Sequence, residues 1–261
     1  MCYNKIGMKR LIIILTLFLI LINSWSASAA SKFVKKDIKV QASDGFSLSA
    51  TLQYPNDKKK KEFSTVVLLH SLGYSSEWWE TLPNDLLSRG YAVLSIDLRG
   101  HGKSVYNAKL TRVSWTGMKT PAFAKYPDDV ISVIDYVKTE NKRAFFNDWA
   151  IIGSDIGAST AICIANKISY KPKTLVLLSP VINAKGIYIP VKLAELSNID
   201  ILNIVGNHDI NAQNIYDYLS KFAQATFALY TSESKANGML MLKNDPELSN
   251  IITGWLTQYL K

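Results

Sequence analysis

Two registers of hydrophobic patterning divide the chain. In the first, "KFVKKDIKVQ" and "FSLSATLQY" alternate apolar and polar residues, the period of a strand with one wet face, and "SDG" between them supplies a turn. An antiparallel opening hairpin is predicted. In the second, "TVVLL" (65–69), "YAVLSI" (91–96), "WAIIG" (149–153), "TLVLL" (174–178), "DILNIVG" (200–206) and "ATFALY" (225–230) are short and almost wholly apolar. Strands buried on both faces of a parallel sheet read this way. Helical spacing fills the intervals in "EWWETLPNDLLSRG", "PDDVISVIDYVKTE", "ASTAICIANKI" and "AQNIYDYLSKFA", and again in "PELSNIITGWLTQYL". Pro127 and Pro246 stand near helix starts, where a missing N–H costs no hydrogen bond. Strand–helix alternation after an antiparallel start predicts the α/β class: a mostly parallel sheet of about eight strands with helices on both faces. The connection from 178 to 200 is short, so any lid there is minimal. No repeat or linker interrupts the pattern, and residues 30–261 are expected to form one domain.

Residues 1–29 do not share it. Lys9 and Arg10 precede the apolar run Leu11–Ile22, and small or polar residues follow in "NSWSASAASK". This is the three-part layout of a secretory signal, and the run is shorter than the ~20 residues that span a bilayer as a helix. Cleavage is expected after Ala29, with Ala30 as second choice; Met8 is an alternative start, and an uncleaved signal anchor is the competing reading. The expected location is the periplasm or the extracellular space, with no membrane span left after cleavage. Losing Lys5, Lys9 and Arg10 leaves 27 basic residues against 21 acidic ones, so the net charge falls from +9 to +6. Without a basic stripe interleaved with aromatics, nucleic acid is not an expected partner. "KKKK" at 58–61 lies between two strand-like segments and reads as a solvated hairpin loop. Cys2 precedes the apolar run, which leaves Cys163 alone, on an apolar helix face, as a core residue rather than a nucleophile.

Ligands of open parallel sheets bind beyond the carboxyl ends of the strands. Four loops leave such ends with informative residues: "HSLG", "DLRGHGKS", "GSDIGAS" and "GNHD". Together they resemble the α/β-hydrolase family, in its bacterial esterase and lipase-like branch. "DLRGHGKS" is a specific mark of it, "HSLG" is similar to its His-Gly-x-Gly oxyanion loop with Ser71 at the usual first glycine, and "LLSPVINAKGI" is similar to a loop of some bacterial members. The resemblance covers nearly all of 30–261. It implies a nucleophile, an acid and a histidine in that chain order. Asp155 stands at the nucleophile position between Gly153 and Gly157; Asp209, in "IVGNHD", stands at the acid position; Asn237, in "SKANGMLML", stands where the histidine belongs. His70, Ser71, Leu72 and Ile156 fall at the oxyanion-loop positions. Nothing in these motifs calls for a metal or a cofactor.

Two of the three catalytic positions are therefore changed. An amide such as Asn237 does not accept a proton near neutral pH, and without Ser the apex has no hydroxyl to activate. Dehalogenases and epoxide hydrolases of this fold use an apex Asp, but still need histidine, and they tend to carry Trp where this chain has Ile156. An ionised Asp155 at a helix N-terminus has a structural use instead: the amides of Leu72 and Ile156 would bind its carboxylate, and Asn237 would bridge Asp155 and Asp209. Of the three histidines, His70 lies nearest the site and is the one substitute base worth testing; His101 reads as a turn residue and His208 as pointing away. Ser154 is directed elsewhere, and Ser179 reads as a hydrogen-bonding turn residue. Trp78, Trp79, Trp115 and Phe123 lie in segments that line or cover such a pocket in principle, with packing the plainer role, and the stretch Val105–Tyr126 is the expected cap. The leading expectation is a hydrolytically inactive member that binds a small apolar or ester-like ligand or a partner. The alternatives are an active carboxylic ester hydrolase with a non-standard residue set, and a structural protein whose pocket holds nothing.

Overall fold

β1 (Phe33–Gln41) and β2 (Ser47–Pro55) pair antiparallel along their whole length, with Phe33 opposite Pro55 and Gln41 opposite Ser47. In this computed structural model, which describes residues 31–261, they open an eight-stranded sheet. The expected export segment, residues 1–29, lies outside the described residues. The chain divides into Met1–Lys32 and a compact unit Phe33–Lys261, and the fold is that of the second.

The remaining strands are β3 (Phe63–Leu69), β4 (Ala92–Asp97), β5 (Ala144–Ser154), β6 (Thr174–Leu178), β7 (Asp200–Gly206) and β8 (Phe227–Ser232). Their spatial order is β1-β2-β4-β3-β5-β6-β7-β8. From β4 onward every neighbouring pair is parallel. β3, β4 and β6 are buried at every position, which is why their sequences are continuous rather than alternating. Helices α1 (Leu82–Ser88) and α5 (Leu248–Leu256) cover one face, where Val66, Leu68, Val93 and Ile152 meet Leu86, Ile252 and Leu256. Helices α2 (Tyr126–Glu140), α3 (Ile156–Lys167) and α4 (Ile210–Ser220) cover the other, around Val67, Ile151, Leu177, Val133, Ile162 and Leu219. Pro127 sits in the first turn of α2, beside Asp128 and Asp129, which suit the positive end of the helix dipole.

Three local features differ from expectation. β2 pairs with β4, not β3, so Lys58–Lys61 are exposed but belong to a connection that skips a strand position rather than to a hairpin. β5 begins at Ala144, ahead of "WAIIG", because a register shift opposite Ser64 and Thr65 admits the polar Asn147 and Asp148. The stretch 105–126 is tied down by bridges from Tyr106 to Ser47 and Arg112 and by the short helix Thr120–Phe123. Trp79 is fully buried while Trp78 is half-exposed. Among the described residues no helix is long and apolar enough to cross a membrane.

Candidate functional site

β5 ends at Ser154 and α3 begins at Ile156, and the single residue between them must reverse the chain. Asp155 does so at φ 52° and ψ −114°, a backbone state that side-chain-bearing residues rarely adopt. The turn closes only because its flanks are glycine. A Cβ on Gly157 would overlap the carbonyl oxygen of Leu69, and one on Gly153 would lie 2.5 Å from that of Gly157. The Asp155 amide is anchored on the Leu178 carbonyl at 2.9 Å.

The elbow presents the Asp155 carboxylate to the loop after β3, where the Leu72 amide donates to its Oδ2 at 3.0 Å. Burial pushes the Asp155 pKa above the usual carboxylate value, and the amides of Leu72 and Ile156 oppose that in part. Asp209 caps α4, its Oδ1 accepting from the Ala212 amide at 2.9 Å. Asn237 is exposed and forms no hydrogen bond to either aspartate. The expected amide bridge is thus not formed: Asp209 is turned toward its helix, and Asn237 stands in extended backbone (φ −115°, ψ 157°) at the rim.

Three serines fix the loop that carries Asn237. Ser154 Oγ accepts from the Met239 amide at 2.7 Å and lies 2.6 Å from Ser71 Oγ; Ser179 Oγ accepts from the Gly238 amide at 3.0 Å. Gly238, at φ 57°, has no space for a side chain, since a Cβ would stand 2.5 Å from Ser154 Oγ. These hydroxyls are engaged in docking the loop.

His70 is fully buried and both ring nitrogens are taken. The Leu98 amide donates to Nε2 at 3.0 Å, which leaves the proton on Nδ1, 2.8 Å from the Ser71 carbonyl. Burial, then the neighbouring His101, lower its pKa to about 4. His101 Nε2 accepts from the Gly73 amide at 3.0 Å, and its ring stacks on Trp115. His208 is exposed. Neither buried ring lines the cavity described next.

Asp155, Asp209 and Asn237 all contribute to the lining of one open cavity of about 540 Å³, together with Ser71, Leu72 and Ser179. Its walls include Tyr74, Val181, Ile215 and Leu240, with Asn211 and Lys235 at polar positions. Trp115 and Phe123 are not part of it. Tyr74 and Ile215 were visible only as members of a loop and a helix face; Tyr74, three residues beyond Ser71, is the one that motif position alone could have found. Among the described residues no group of three His, Cys, Asp or Glu stands close enough to hold a metal ion.

The sheet order, the strained elbow and a cavity at the carboxyl ends of the strands define an α/β-hydrolase fold. The serine aminopeptidase, S33 family (Hydrolase_4) matches residues 60–231, well over half of the sequence, and the chain belongs to that family. Among solved structures it is similar to an esterase from Pyrococcus furiosus (19% identity, 88% of this chain and 92% of that one, TM-score 0.66). It is also similar to a dienelactone hydrolase from Anabaena variabilis (13%, 88% and 100%, 0.66). A thermostable carboxyl esterase from Bacillus coagulans is a third (12%, 87% and 99%, 0.66). At such identities the likeness is one of fold. No curated protein matches the chain.

Proposed function

We propose that this chain is an exported α/β-hydrolase-family protein that binds a small apolar or ester-like ligand without hydrolysing it. The observation that carries the reading is the Leu72–Asp155 hydrogen bond. The amide placed to hold a developing oxyanion holds a carboxylate of the protein itself, so a negative transition state meets a like charge where it needs a donor. Asn237 offers no base, and His70 is locked between two backbone groups outside the cavity. The cavity nevertheless remains open, with apolar walls and a few convergent polar groups, the make-up of a small-molecule site rather than of a pocket lost to packing.

A second reading, an active carboxylic ester hydrolase with an unusual residue set, is favoured by the strained backbone at Asp155, a state that clusters at active sites. The test compares the natural protein with Asp155→Ser/Asn237→His on short-chain p-nitrophenyl esters. Turnover by the double variant alone supports the binding reading. Saturable turnover by the natural protein, lost in Asp155→Ala, overturns it.

A further inference from the structure

The run Lys58–Lys61 stands out in the sequence as an isolated block of charge, and the fold gives it company. Tyr54 and Phe63 flank it and stack at 6.1 Å between centroids. Three cations from separate parts of the chain gather on these two rings: Lys36 lies 5.9 Å from Tyr54, Lys60 5.3 Å from Phe63, and Arg143 5.5 Å and 5.0 Å from the two. Ring faces attract cations, and so hold together charges that would otherwise repel. Lys60 also lines a shallow depression with Lys173 and Lys261. None of these basic side chains is ion-paired among the described residues. The acids at this end, Asp57, Glu62, Glu140, Asp148 and Asp200, are fewer; Glu62 and Asp148 line the same depression, and three of the five accept hydrogen bonds: Asp57 from the Lys59 amide, Asp148 from Ser64 and the Lys261 amide, and Asp200 from Tyr259 and the Thr226 amide.

The position of this face matters as much as its charge. It lies where β3, β5 and β6 begin, whereas the cavity with Asp155 lies where they end. Phe33 is opposite Pro55, so the chain enters the domain at this same end, after a sequence in which Lys9 and Arg10 precede the apolar run Leu11–Ile22. Flexible, unpaired lysines around a shallow surface suit diffuse phosphate charge spread over a plane.

We propose that this end of the domain is a docking face for the anionic headgroups of a lipid bilayer, centred on Lys58–Lys61 with Lys36, Arg143 and Lys173. Docked so, the domain lies against the membrane through which its N-terminal sequence is addressed, and its cavity opens away from the lipid. This holds whether or not the cavity turns over a substrate.

The test is co-flotation of the full chain with vesicles of phosphatidylcholine alone and with about one-third phosphatidylglycerol. Whatever the apolar run and its neighbours Lys5, Lys9 and Arg10 contribute is common to every variant, so the change in the lipid ratio from one variant to another reads the basic face. The natural chain is expected to prefer the anionic vesicles by about tenfold or more, a preference removed at about 0.5 M salt as the Debye length shrinks. The variant Lys58→Gln/Lys59→Gln/Lys60→Gln/Lys61→Gln should lose most of it. A variant with the same charge loss at the opposite end, Lys103→Gln/Lys109→Gln/Lys119→Gln/Lys185→Gln, should keep it. Because Lys58–Lys61 lie exposed in an irregular loop, folding is not at risk, and a Lys→Arg version of the four retains the charge as a check. An unchanged lipid ratio in the first variant overturns the proposal. So does tighter binding to soluble polyphosphate than to anionic vesicles at equal phosphate concentration, which would make the face a polyanion site.

Discussion

The Leu72 amide and the Asp155 carboxylate are 83 residues apart in sequence and 3.0 Å apart in space. That contact joins the loop after β3 to the elbow after β5, and it sets two effects against each other. Burial disfavours the charged carboxylate, while amide donors favour it, and burial is the larger. A carboxyl whose pKa is raised by folding contributes stability that is complete below its unfolded value and is lost as pH rises through the folded one. Ionised Asp155 therefore weighs against the fold at neutral pH. Asp155→Asn keeps an acceptor for Leu72 and removes the charge. It should raise unfolding free energy at pH 7 to 8 by about 1 kcal/mol, and the gain should vanish near and below pH 3.8, the ordinary carboxyl value that applies in the unfolded chain. Urea titrations across that range measure it; a loss of stability at pH 7 would show that the amides win.

Ser154 next to the elbow carries a different load. Its Oγ satisfies the Met239 amide and meets Ser71 Oγ, all in fully or nearly fully buried positions. Ser154→Ala leaves an amide without an acceptor and should cost about 1–3 kcal/mol. Since this bond seats the loop bearing Asn237, amide exchange should quicken at Met239 more than in β3 or β6. Uniform exchange across the domain would show that the serine clamp is not local.

The legible part of this protein is the part set by hydrophobic period. "TVVLL", "TLVLL" and "DILNIVG" are strands within a residue or two of where continuous burial puts them, because no alternative buries both faces. What pairs with what is less legible. Lys58–Lys61 connect two segments that look like a hairpin, yet β2 takes β4 as its neighbour, a choice made by long-range packing that leaves no local mark. At the site, the turn around Asp155 is announced by its glycines. The missing Asn237 bridge is not, because whether Asp209 turns to the cavity or to its own helix depends on the free Ala212 amide, a feature of the helix start. The gathering of Lys36, Arg143 and Lys173 near the lysine run was likewise invisible before the strands were placed.

Gly157 tests the elbow without touching chemistry. A methyl group there would penetrate the Leu69 carbonyl, on backbone that neighbouring strands hold on both sides. Gly157→Ala should cost about 3 kcal/mol, the upper end of what overpacking usually costs, because the clash is with backbone that cannot yield. A thermal melt decides it: a melting temperature within a degree or two of the natural protein would mean that the elbow can open, and that its strain is not fixed by the fold.

His70 separates the two functional readings through pH. Its ring accepts from Leu98 and donates to the Ser71 carbonyl, so it serves the fold as a neutral group, and its pKa is lowered from 6.5 to about 4 by burial and then by His101. For a base lowered by folding, the unfolded chain binds the proton first. Its stabilising contribution is complete above pH 6.5 and is lost as pH falls from there toward 4. For His70 a difference of this size corresponds to about 3 kcal/mol, and His101, whose pKa burial also lowers, adds a loss of the same sign. His70→Gln can both donate and accept but does not titrate. It should flatten the loss of unfolding free energy between pH 6.5 and 4 while leaving ligand affinity in the cavity at pH 7.5 within about twofold, since His70 does not line it. If His70→Gln instead abolished a measurable esterase rate of the natural protein and left the stability profile unchanged, His70 would be a working base, and the active-hydrolase reading would replace the binding one.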